Sequence, residues 1–283
     1  IRDRAYCEER WQDVIRSGNN NDWLIGNNGN DSLYGGQGND TLDGGEGDDY
    51  LDDSQGGNIL SGDIGDDILT GSGTLDGGIG NDSLTVYAGV GRGGDGQDTL
   101  TVAGASVSIE GGLGDDILYG SGSADILLGN QDNDSIYGGG GNDSINAGTG
   151  NDLIHSGSGD DTIDGGDGIA DVAVFAGLRS QYTITYNDKD PNHPFYYVID
   201  NFPENGDQGS DQVFNVEALR FDDQVFIPST FNTGRITTIS QRGSVISGTA
   251  SGDYLAGFGG ADTLYGLEGD DTLIGRSGKD VLY

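Results

Sequence analysis

A nine-residue unit, Gly-Gly-x-Gly-x-Asp-x-Leu/Ile-x, recurs through most of the chain and limits the possible folds more than any other feature. Two consecutive copies at 35–43 and 44–52 match it at every fixed position. The same register returns at 77–85, 93–101, 111–119 and 138–146. Most of residues 17–173 belongs to one array, and a second block starts near Ile239. Repeats of constant length indicate a solenoid, in which each unit buries its apolar residue against its neighbours.

Each unit divides into a six-residue turn and a three-residue strand, because glycine adopts the positive φ that bulkier residues avoid. The leucine or isoleucine of each strand is expected to point inward. Two units make one coil, so turns on the same edge lie eighteen residues apart in the sequence. The pattern therefore predicts an all-β parallel β-roll in two blocks, with a small antiparallel β module between them.

The aspartate that ends each turn is a hard oxygen donor, and the glycines leave carbonyl oxygens unshielded. Two stacked turns could therefore surround Ca²⁺ with about six oxygens. The candidate ligands are Asp22, Asp31, Asp40, Asp49, Asp67, Asp82, Asp98, Asp116, Asp125, Asp134, Asp143, Asp152, Asp161, Asp171, Asp253, Asp262, Asp271 and Asp280. The spacing predicts facing pairs, namely Asp22–Asp40, Asp31–Asp49, Asp116–Asp134, Asp125–Asp143, Asp134–Asp152, Asp143–Asp161, Asp253–Asp271 and Asp262–Asp280.

Four departures from the repeat predict where calcium should be missing. Asn58 replaces the expected aspartate, the unit at 71–76 is three residues short, and the unit at 86–92 is two short. Val107 occupies the liganding position of the unit at 102–110. Because Ile109 keeps the inward position there, we expect the coil to continue without a normal calcium site.

The composition excludes several classes of protein. The 48 acidic and 12 basic side chains give a formal charge of -36, which disfavours nucleic acid because phosphate binding needs clustered Lys and Arg. Repulsion on this scale and a hydrophobic content of 33% suggest disorder, but the fixed spacing of Leu and Ile argues against it when cations are supplied. No apolar run approaches the roughly 20 residues of a membrane helix.

The changes of composition predict four segments. These are an Arg-rich N-terminal segment (1–16), a first β-roll block (17–173), an inserted β-rich module (174–238) and a second block (239–283). Alternating aromatic and β-branched residues in the module indicate half-buried antiparallel strands. The module is interpreted as a cap and bridge between the two blocks. The alternative is a carbohydrate-binding face built from Tyr182, Tyr186, Tyr196 and Tyr197.

The sequence offers little for catalysis. His155 and His193 are the two histidines, which excludes a His-Glu-x-x-His zinc site and leaves few bases for a serine or cysteine nucleophile. His155 is expected to be exposed, and Cys7 has no partner for a disulfide within the chain. The chain is predicted not to be an enzyme.

The nonapeptide resembles that of the repeats-in-toxin (RTX) family, and the resemblance covers about four-fifths of the chain when both arrays are counted. It implies a right-handed parallel β-roll, folding induced by Ca²⁺, and export to the extracellular space or cell surface. It does not imply one activity, because such arrays accompany cytolysins, proteases, lipases, epimerases, adhesins and surface-layer proteins.

The leading functional hypothesis is a calcium-joined structural protein of the extracellular surface. The turns of Asp271 and Asp280 have no followers, and those of Asp22 and Asp31 have no predecessors, which predicts head-to-tail self-association into a filament or sheath. Oscillin-like fibril proteins of gliding cyanobacteria are similar in repeat content. The alternatives are a calcium-dependent secretion and folding domain of a larger enzyme or toxin, and an adhesin module that binds polysaccharide.

Overall fold

The computed structural model describes residues 4–6, 12–187, 195–202, 209–226, 237–240, 245–247, 254–257, 261–267, 272–275 and 279–283. The first strands are β1 (Arg4–Tyr6), β2 (Val14–Arg16), β3 (Trp23–Asn28), β4 (Ser32–Tyr34), β5 (Thr41–Glu46), β6 (Tyr50–Ile64), β7 (Ile68–Ile79), β8 (Ser83–Asp95), β9 (Thr99–Val102) and β10 (Ser108–Leu113). They continue with β11 (Ile117–Tyr119), β12 (Ile126–Gln131), β13 (Ser135–Gly140), β14 (Ser144–Gly150), β15 (Leu153–Ser158), β16 (Thr162–Asp164), β17 (Asp167–Gly168) and β18 (Val172–Val174).

After β18, a short 3₁₀ helix spans Arg179–Gln181. The remaining strands are β19 (Tyr182–Asn187), β20 (Phe195–Asp200), β21 (Ser210–Phe214), β22 (Ala218–Arg220), β23 (Val225–Phe226), β24 (Thr237–Ser240), β25 (Val245–Ser247), β26 (Tyr254–Gly257), β27 (Thr263–Tyr265), β28 (Thr272–Ile274) and β29 (Val281–Leu282). Among the described residues, no helix has the length and apolar character needed to cross a membrane.

The strands stack in parallel along two faces, each strand pairing with the strand one coil away. The first face contains β1, β3, β5, β10, β12, β14, β16 and β21, and the second contains β2, β4, β9, β11, β13, β15, β18 and β22. The long strands β6, β7 and β8 run through both faces. This all-β parallel solenoid confirms the predicted fold class.

The core is a row of inward Leu, Ile and Val side chains that lies between the two faces. Leu24, Leu33, Leu42 and Leu51 are fully buried in consecutive units, and the row continues unit by unit to Ile163. Burial of each such side chain contributes roughly 1.5–3 kcal/mol, which is the main favourable term that the repeat itself supplies.

The solenoid extends beyond the limits expected for the first array. β2, within the segment predicted to precede the array, pairs with β4 in the register Ile15↔Leu33. β21 and β22, within the inserted module, continue the stack through Ile163↔Val213 and Ala173↔Leu219. Both extensions place an apolar residue in the inward row. The division into four domains remains a prediction.

The irregular units stay inside the solenoid, as expected for Val107 and Ile109, both of which are buried. In the shortened unit at 86–92, Gly91 takes the inward position that leucine holds elsewhere. A Cβ on Gly91 would lie 2.6 Å from Cγ2 of Val86, so the valine fills the space that the missing leucine leaves. Core packing is therefore preserved where the repeat length changes.

The inserted module contains the antiparallel strands that alternation predicts. β19 pairs with β20, and β20 pairs with β21, which joins the module to the first face of the solenoid. Tyr182 is buried against Phe175 and Phe221, in contact with the solenoid core.

The second block forms two parallel three-stranded sheets, β24-β26-β28 and β25-β27-β29. Leu255 and Leu264 are buried between them. Asp262 and Asp280 are described, whereas Asp253, Asp271, Cys7 and His193 lie outside the described residues.

Candidate metal centres

The turns of the solenoid form two edges that differ in regularity. The continuous edge is made by the turns that end at Asp13, Asp31, Asp49, Asp67, Asp82, Asp98, Asp116, Asp134, Asp152, Asp171 and Glu217. The interrupted edge is made by the turns that end at Asp22, Asp40, Asn58, Val107, Asp125, Asp143, Asp161 and Asp211, with two shortened turns near Gly73 and Gly89.

A carboxylate ladder runs along the continuous edge. The backbone N–H of the last residue in each turn donates to one carboxylate oxygen of the next turn, as Asp31 does to Oδ1 of Asp49 at 2.7 Å. Asp67 donates to Asp82 at 2.8 Å and Asp82 to Asp98 at 2.7 Å, although these pairs are 15 and 16 residues apart. The ladder stays in register because the missing residues lie in turns of the other edge.

The second carboxylate oxygen of each turn is the feature that points to a ligand. Among the described residues, the buried Oδ2 atoms without a hydrogen-bond partner include those of Asp31, Asp40, Asp49, Asp53, Asp67, Asp82, Asp98, Asp116, Asp134, Asp143, Asp152, Asp161 and Asp171. A buried oxygen left in this state costs free energy unless a proton or a cation satisfies it.

Glycine keeps the space around these oxygens open. A Cβ on Gly77 would overlap Oδ2 of Asp82 and would lie 2.5 Å from the carbonyl oxygen of Gly93, in the next turn of the continuous edge. A carboxylate oxygen and a carbonyl oxygen from stacked turns therefore converge on one space, which only glycine leaves free. This is the environment expected for a hard oxygen-binding cation.

Burial makes the charged form of these carboxylates costly. It raises the pKa of Asp49, Asp67 and Asp82 from 3.8 to about 7, although the backbone N–H that each oxygen accepts lowers it in part. Burial raises the pKa of Asp134 and Asp171 to about 8. Without a cation, ionisation of these carboxyl groups of the continuous edge is therefore unfavourable at neutral pH.

The side chains fit a calcium ion only if backbone carbonyl oxygens supply the remaining ligands. Within the described residues, no three Asp, Glu, His or Cys side chains converge as a metal cluster. The single ion pair found in that part of the chain, Arg92 to Glu110 at 3.3 Å, does not touch the ladder. One carboxylate per turn with carbonyl oxygens from the glycine-rich turns is suited to Ca²⁺, which accepts six to eight oxygen ligands in flexible geometry.

The structure brings together the predicted facing pairs that it describes. An N–H to Oδ1 bond of 2.7–2.9 Å joins Asp22–Asp40, Asp31–Asp49, Asp116–Asp134, Asp125–Asp143, Asp134–Asp152, Asp143–Asp161 and Asp262–Asp280. The Asp253–Asp271 pair lies outside the described residues. Assignment of these aspartates as calcium ligands remains a prediction.

Asp125 differs from the other members of the ladders. Its Oδ2 accepts hydrogen bonds from the backbone N–H and the Oγ of Ser121, each at 2.8 Å. Donors of the protein itself therefore satisfy the oxygen that elsewhere lacks a partner. The repeat register alone places Asp125 among the candidates and does not reveal this difference.

Counting repeats misses three carboxylates in the ladders, Asp13, Asp211 and Glu217, and one in the irregular turn at 53–58, Asp53. Asp13 lies nine residues before Asp22, a spacing that could have identified it. Asp211 accepts from the N–H of Asp161, and Glu217 from that of Asp171. Each is followed two residues later by an inward apolar residue, which is a weak signal of the same unit.

The four tyrosines of the carbohydrate-face alternative are divided between core and surface, with Tyr186 38% exposed and Tyr197 half-buried. Tyr182 and Tyr196 are buried, which agrees with packing in the core rather than display on a surface. His155 is half-buried rather than exposed, because it stacks on Tyr137 with ring centroids 4.8 Å apart. Burial, with a smaller contribution from Arg220, lowers the pKa of His155.

Among solved structures, seven chains match this one. The crystal structure of the extracellular lipase LipA from Serratia marcescens is similar at 15% identity and a TM-score of 0.25, and the match covers 59% of this chain and 33% of the lipase. The chain thus spans about a third of that lipase. No curated protein matches the sequence.

The model of the RTX calcium-binding nonapeptide repeat matches more than half of the chain. The matched residues are 16–51, 43–73, 92–127, 108–136, 119–154, 137–169 and 245–283. They include most of the turns that form the two ladders and the second block, but not the turns that end at Asp13, Asp82, Asp171, Asp211 and Glu217. The chain therefore belongs to the family of RTX calcium-binding repeat proteins.

Proposed function

We propose that this chain is a calcium-dependent folding module whose two edges bind a series of Ca²⁺ ions. The row of buried Oδ2 atoms without partners is the observation that supports this most strongly. The predicted ligands include Asp49, Asp67, Asp82 and Asp98 on the continuous edge, and Asp40 and Asp143 on the interrupted edge.

The residues of the chain act by position rather than by chemical reaction. In the unfolded chain the carboxylates are dispersed, so cation binding and folding form one linked equilibrium. In the folded chain, the N–H of each preceding turn fixes Oδ1, and Oδ2 is turned toward the glycine-lined space. Bound calcium supplies positive charge and accepts the carboxylate and carbonyl oxygens as ligands.

Far-ultraviolet circular dichroism tests the proposal. The purified chain is depleted of metal and titrated with CaCl₂ or with MgCl₂ at the same ionic strength. We expect β-structure to appear with Ca²⁺ in the range of about 10⁻⁴ to 10⁻³ M, and not with equal Mg²⁺, which demands smaller and more rigid octahedral sites. Full β-structure in excess chelator at neutral pH would contradict the proposal.

The calcium requirement also supports a place of action. Extracellular calcium modules bind in the range of about 10⁻⁴ to 10⁻³ M, so a chain of this kind folds outside a cell and remains unfolded in a cytosol. We propose an extracellular or cell-surface location and a non-catalytic role. The half-buried, stacked position of His155 supports the second point, because it leaves the imidazole poorly placed as a general base.

Self-assembly is a further part of the proposed role. Among the described strands, β2 pairs only with β4 and β29 pairs only with β27, so each has a parallel edge that another copy could extend. Light scattering and electron microscopy, in millimolar calcium and in chelator, test this directly. Calcium-dependent filaments that disappear in Asp280→Ala would support assembly, whereas folded monomers in calcium would reject it and leave the folding module intact.

A further inference from the structure

The turn at 53–58 carries its carboxylate at an unusual position. Its sequence is Asp-Ser-Gln-Gly-Gly-Asn, so aspartate occupies the first position, where the repeat has glycine, and asparagine occupies the last. Asn58 keeps the ladder bond of the interrupted edge, because its Oδ1 accepts the N–H of Asp40 at 2.9 Å. The carboxylate has therefore moved within the turn without a break in the stack at this level.

Asn58 closes the turn with its own amide group. Nδ2 donates to the carbonyl oxygen of Asp53 at 2.9 Å and to that of Gln55 at 3.4 Å. These carbonyl oxygens are thus satisfied by a nitrogen of the protein. The following turn of this edge, near Gly73, is shortened and offers no carboxylate. On the side that faces Gly73, this turn therefore offers no free oxygen ligands for a further cation site.

On its other side, the same turn directs a second carboxylate at Asp40. Oδ1 of Asp53 accepts the N–H of Gln55 at 3.3 Å, which fixes the side chain, and its Oδ2 has no hydrogen-bond partner. Oδ2 of Asp40 also has none, and the two residues are only 2% and 1% exposed. A Cβ on Gly35 would overlap Oδ2 of Asp53 and lie 2.8 Å from Oδ2 of Asp40. Two buried carboxylate oxygens therefore converge in front of Gly35.

We propose that Asp40 and Asp53 together bind one divalent cation, with Asp53 supplying, from the first position of its turn, the second carboxylate that Asn58 cannot supply from the last. At a regular level both stacked turns end in an aspartate, as Asp82 and Asp98 do, and the first glycine of the next turn offers a carbonyl oxygen. At this level the side-chain oxygen of Asp53 lies in front of Gly35, and its negative charge attracts Ca²⁺ where the amide of Asn58 carries none. The proposal rests on the proposed function only in taking calcium as the cation.

The competing explanation is a proton shared between the two carboxyl groups. A shared proton would satisfy both oxygens without metal, and the pair would then be structural. The two explanations differ in what happens to calcium binding when one carboxylate becomes an amide or is replaced by the glycine of the repeat.

Equilibrium dialysis with radioactive calcium, followed by competition with a chelator of known affinity, distinguishes them. The test variants are Asp53→Asn, which keeps the shape, and Asp53→Gly, which restores the regular turn and is expected to fold if the amide variant does not. The control is Asp52→Asn, which removes the same charge from the adjacent residue on the outward side of the strand. All proteins are first checked for calcium-induced circular dichroism.

We expect both Asp53 variants to bind one calcium ion per chain at least about tenfold more weakly than the unmodified chain does, equivalent to about 1.4 kcal/mol. Asp52→Asn should bind calcium as the unmodified chain does. If the unmodified chain folds with calcium and the Asp53 variants retain its ion number and affinities, the two-carboxylate site is rejected and the shared proton is supported. If the unmodified chain neither binds calcium nor folds with it, the proposed function itself fails.

Discussion

The two edges are built from the same turn, yet they differ in how strictly the turn is kept. On the continuous edge, each described turn from Asp31 to Asp171 ends in a carboxylate that accepts the N–H of the turn before it. On the interrupted edge the carboxylates stop after Asp40 and resume at Asp125. The long excursion between β18 and β21 also leaves from this edge.

The difference separates two contributions to stability. Where the interrupted edge has no carboxylate, the inward row is still buried, and Val107 itself joins the core. Coil continuity therefore depends on apolar burial, whereas the buried oxygens of the continuous edge also need a proton or a cation. Changes of length are accommodated on the edge that does not need to hold a cation at every level.

Lowering calcium stepwise should show this difference most clearly. Just above the unfolding concentration, the amides of Asp82 and Asp98 should exchange hydrogen at least about tenfold faster than the amide of Val107. These two amides donate to Asp98 and Asp116, whose carboxylates lose the neighbouring cation. The amide of Val107 donates to Asp125, whose second carboxylate oxygen accepts a hydrogen bond from Ser121 whether or not calcium is bound. Residue-resolved hydrogen exchange by NMR measures the rates. Equal loss of protection at the three amides would show that the edges do not differ.

A carboxylate introduced into the interrupted edge should destabilise the chain. Val107→Asp places a charge at a position that is 2% exposed and packed in the core. The neighbouring turns near Gly89 and at Asp125 offer no completed site, so the cost should be about 3 kcal/mol, in the range for a buried polar group without a partner. Thermal unfolding in saturating calcium measures this. Val107→Ile, of similar polarity, is the control, and an additional bound calcium with raised stability would contradict the prediction.

Removal of a carboxylate from the continuous edge should have a somewhat smaller effect in saturating calcium. Asp98→Ala leaves the N–H of Asp82 without its acceptor and removes one predicted ligand, at a cost of about 1–3 kcal/mol. The calcium concentration at the folding midpoint should also rise. Asp95→Ala, in the same turn but exposed, is matched for charge and should change neither quantity. Equal behaviour of the two variants would mean that the ladder oxygen contributes nothing specific.

The sequence predicted the regular part of this comparison because each position in a nonapeptide has one environment. The spacing of Leu33, Leu42 and Leu51 gives the inward row, and the spacing of Asp31 and Asp49 gives the stacked turns. Asn58 and Val107 mark two turns of one edge that lack the last aspartate, and the absence of calcium there stays a prediction. Counting by eighteen succeeds wherever both turns of a coil have the same length.

The same counting fails after a long excursion or within an irregular turn. Asp211 stacks on Asp161 although 50 residues separate them, and no spacing rule connects a chain that leaves the solenoid and returns. The sequence shows Asp53 only as part of an irregular turn, because its approach to Asp40 depends on the direction of the side chain. The repeat register does not reveal the role of Ser121, because its hydrogen bond to the second oxygen of Asp125 leaves that register unchanged.

The dependence on pH follows from the raised pKa values. In the folded, metal-free chain, burial raises the pKa of Asp134 and Asp171 to about 8 and that of Asp143 to about 7, from the ordinary value of 3.8. At a pH between the unfolded-state pKa of 3.8 and these raised pKa values, the folded chain holds more protons than the unfolded chain. These three carboxyl groups therefore contribute most to the stability of the metal-free fold below about pH 4 to 5. Their contribution is lost as the pH rises through 7 and 8.

Protons and calcium should then compete. In calcium-free buffer, circular dichroism should show more β-structure at pH 5 than at pH 8. For calcium binding to the folded chain, measured by equilibrium dialysis, the midpoint concentration should rise as pH falls below about 7, by up to about tenfold per pH unit for each proton displaced. The continuous edge, where two pKa values reach about 8, should respond at the higher pH. A midpoint that is constant between pH 5 and 8 would contradict this.

The smallest expected effect concerns the turn that satisfies its own carboxylate. Ser121→Ala removes the hydroxyl bond to Oδ2 of Asp125 but keeps the backbone bond, so stability in saturating calcium should fall by about 1 kcal/mol. Ser123→Ala, in the same turn, is the control, because Ser123 contributes its backbone N–H rather than a hydroxyl bond to this network. With one donor lost, the amide of Val107 should also become more sensitive to calcium, since its acceptor is Asp125. The interrupted edge would then depend on calcium more as the continuous edge does. If the exchange rate of the Val107 amide kept its original calcium dependence, Ser121 would not be the cause of the difference between the two edges.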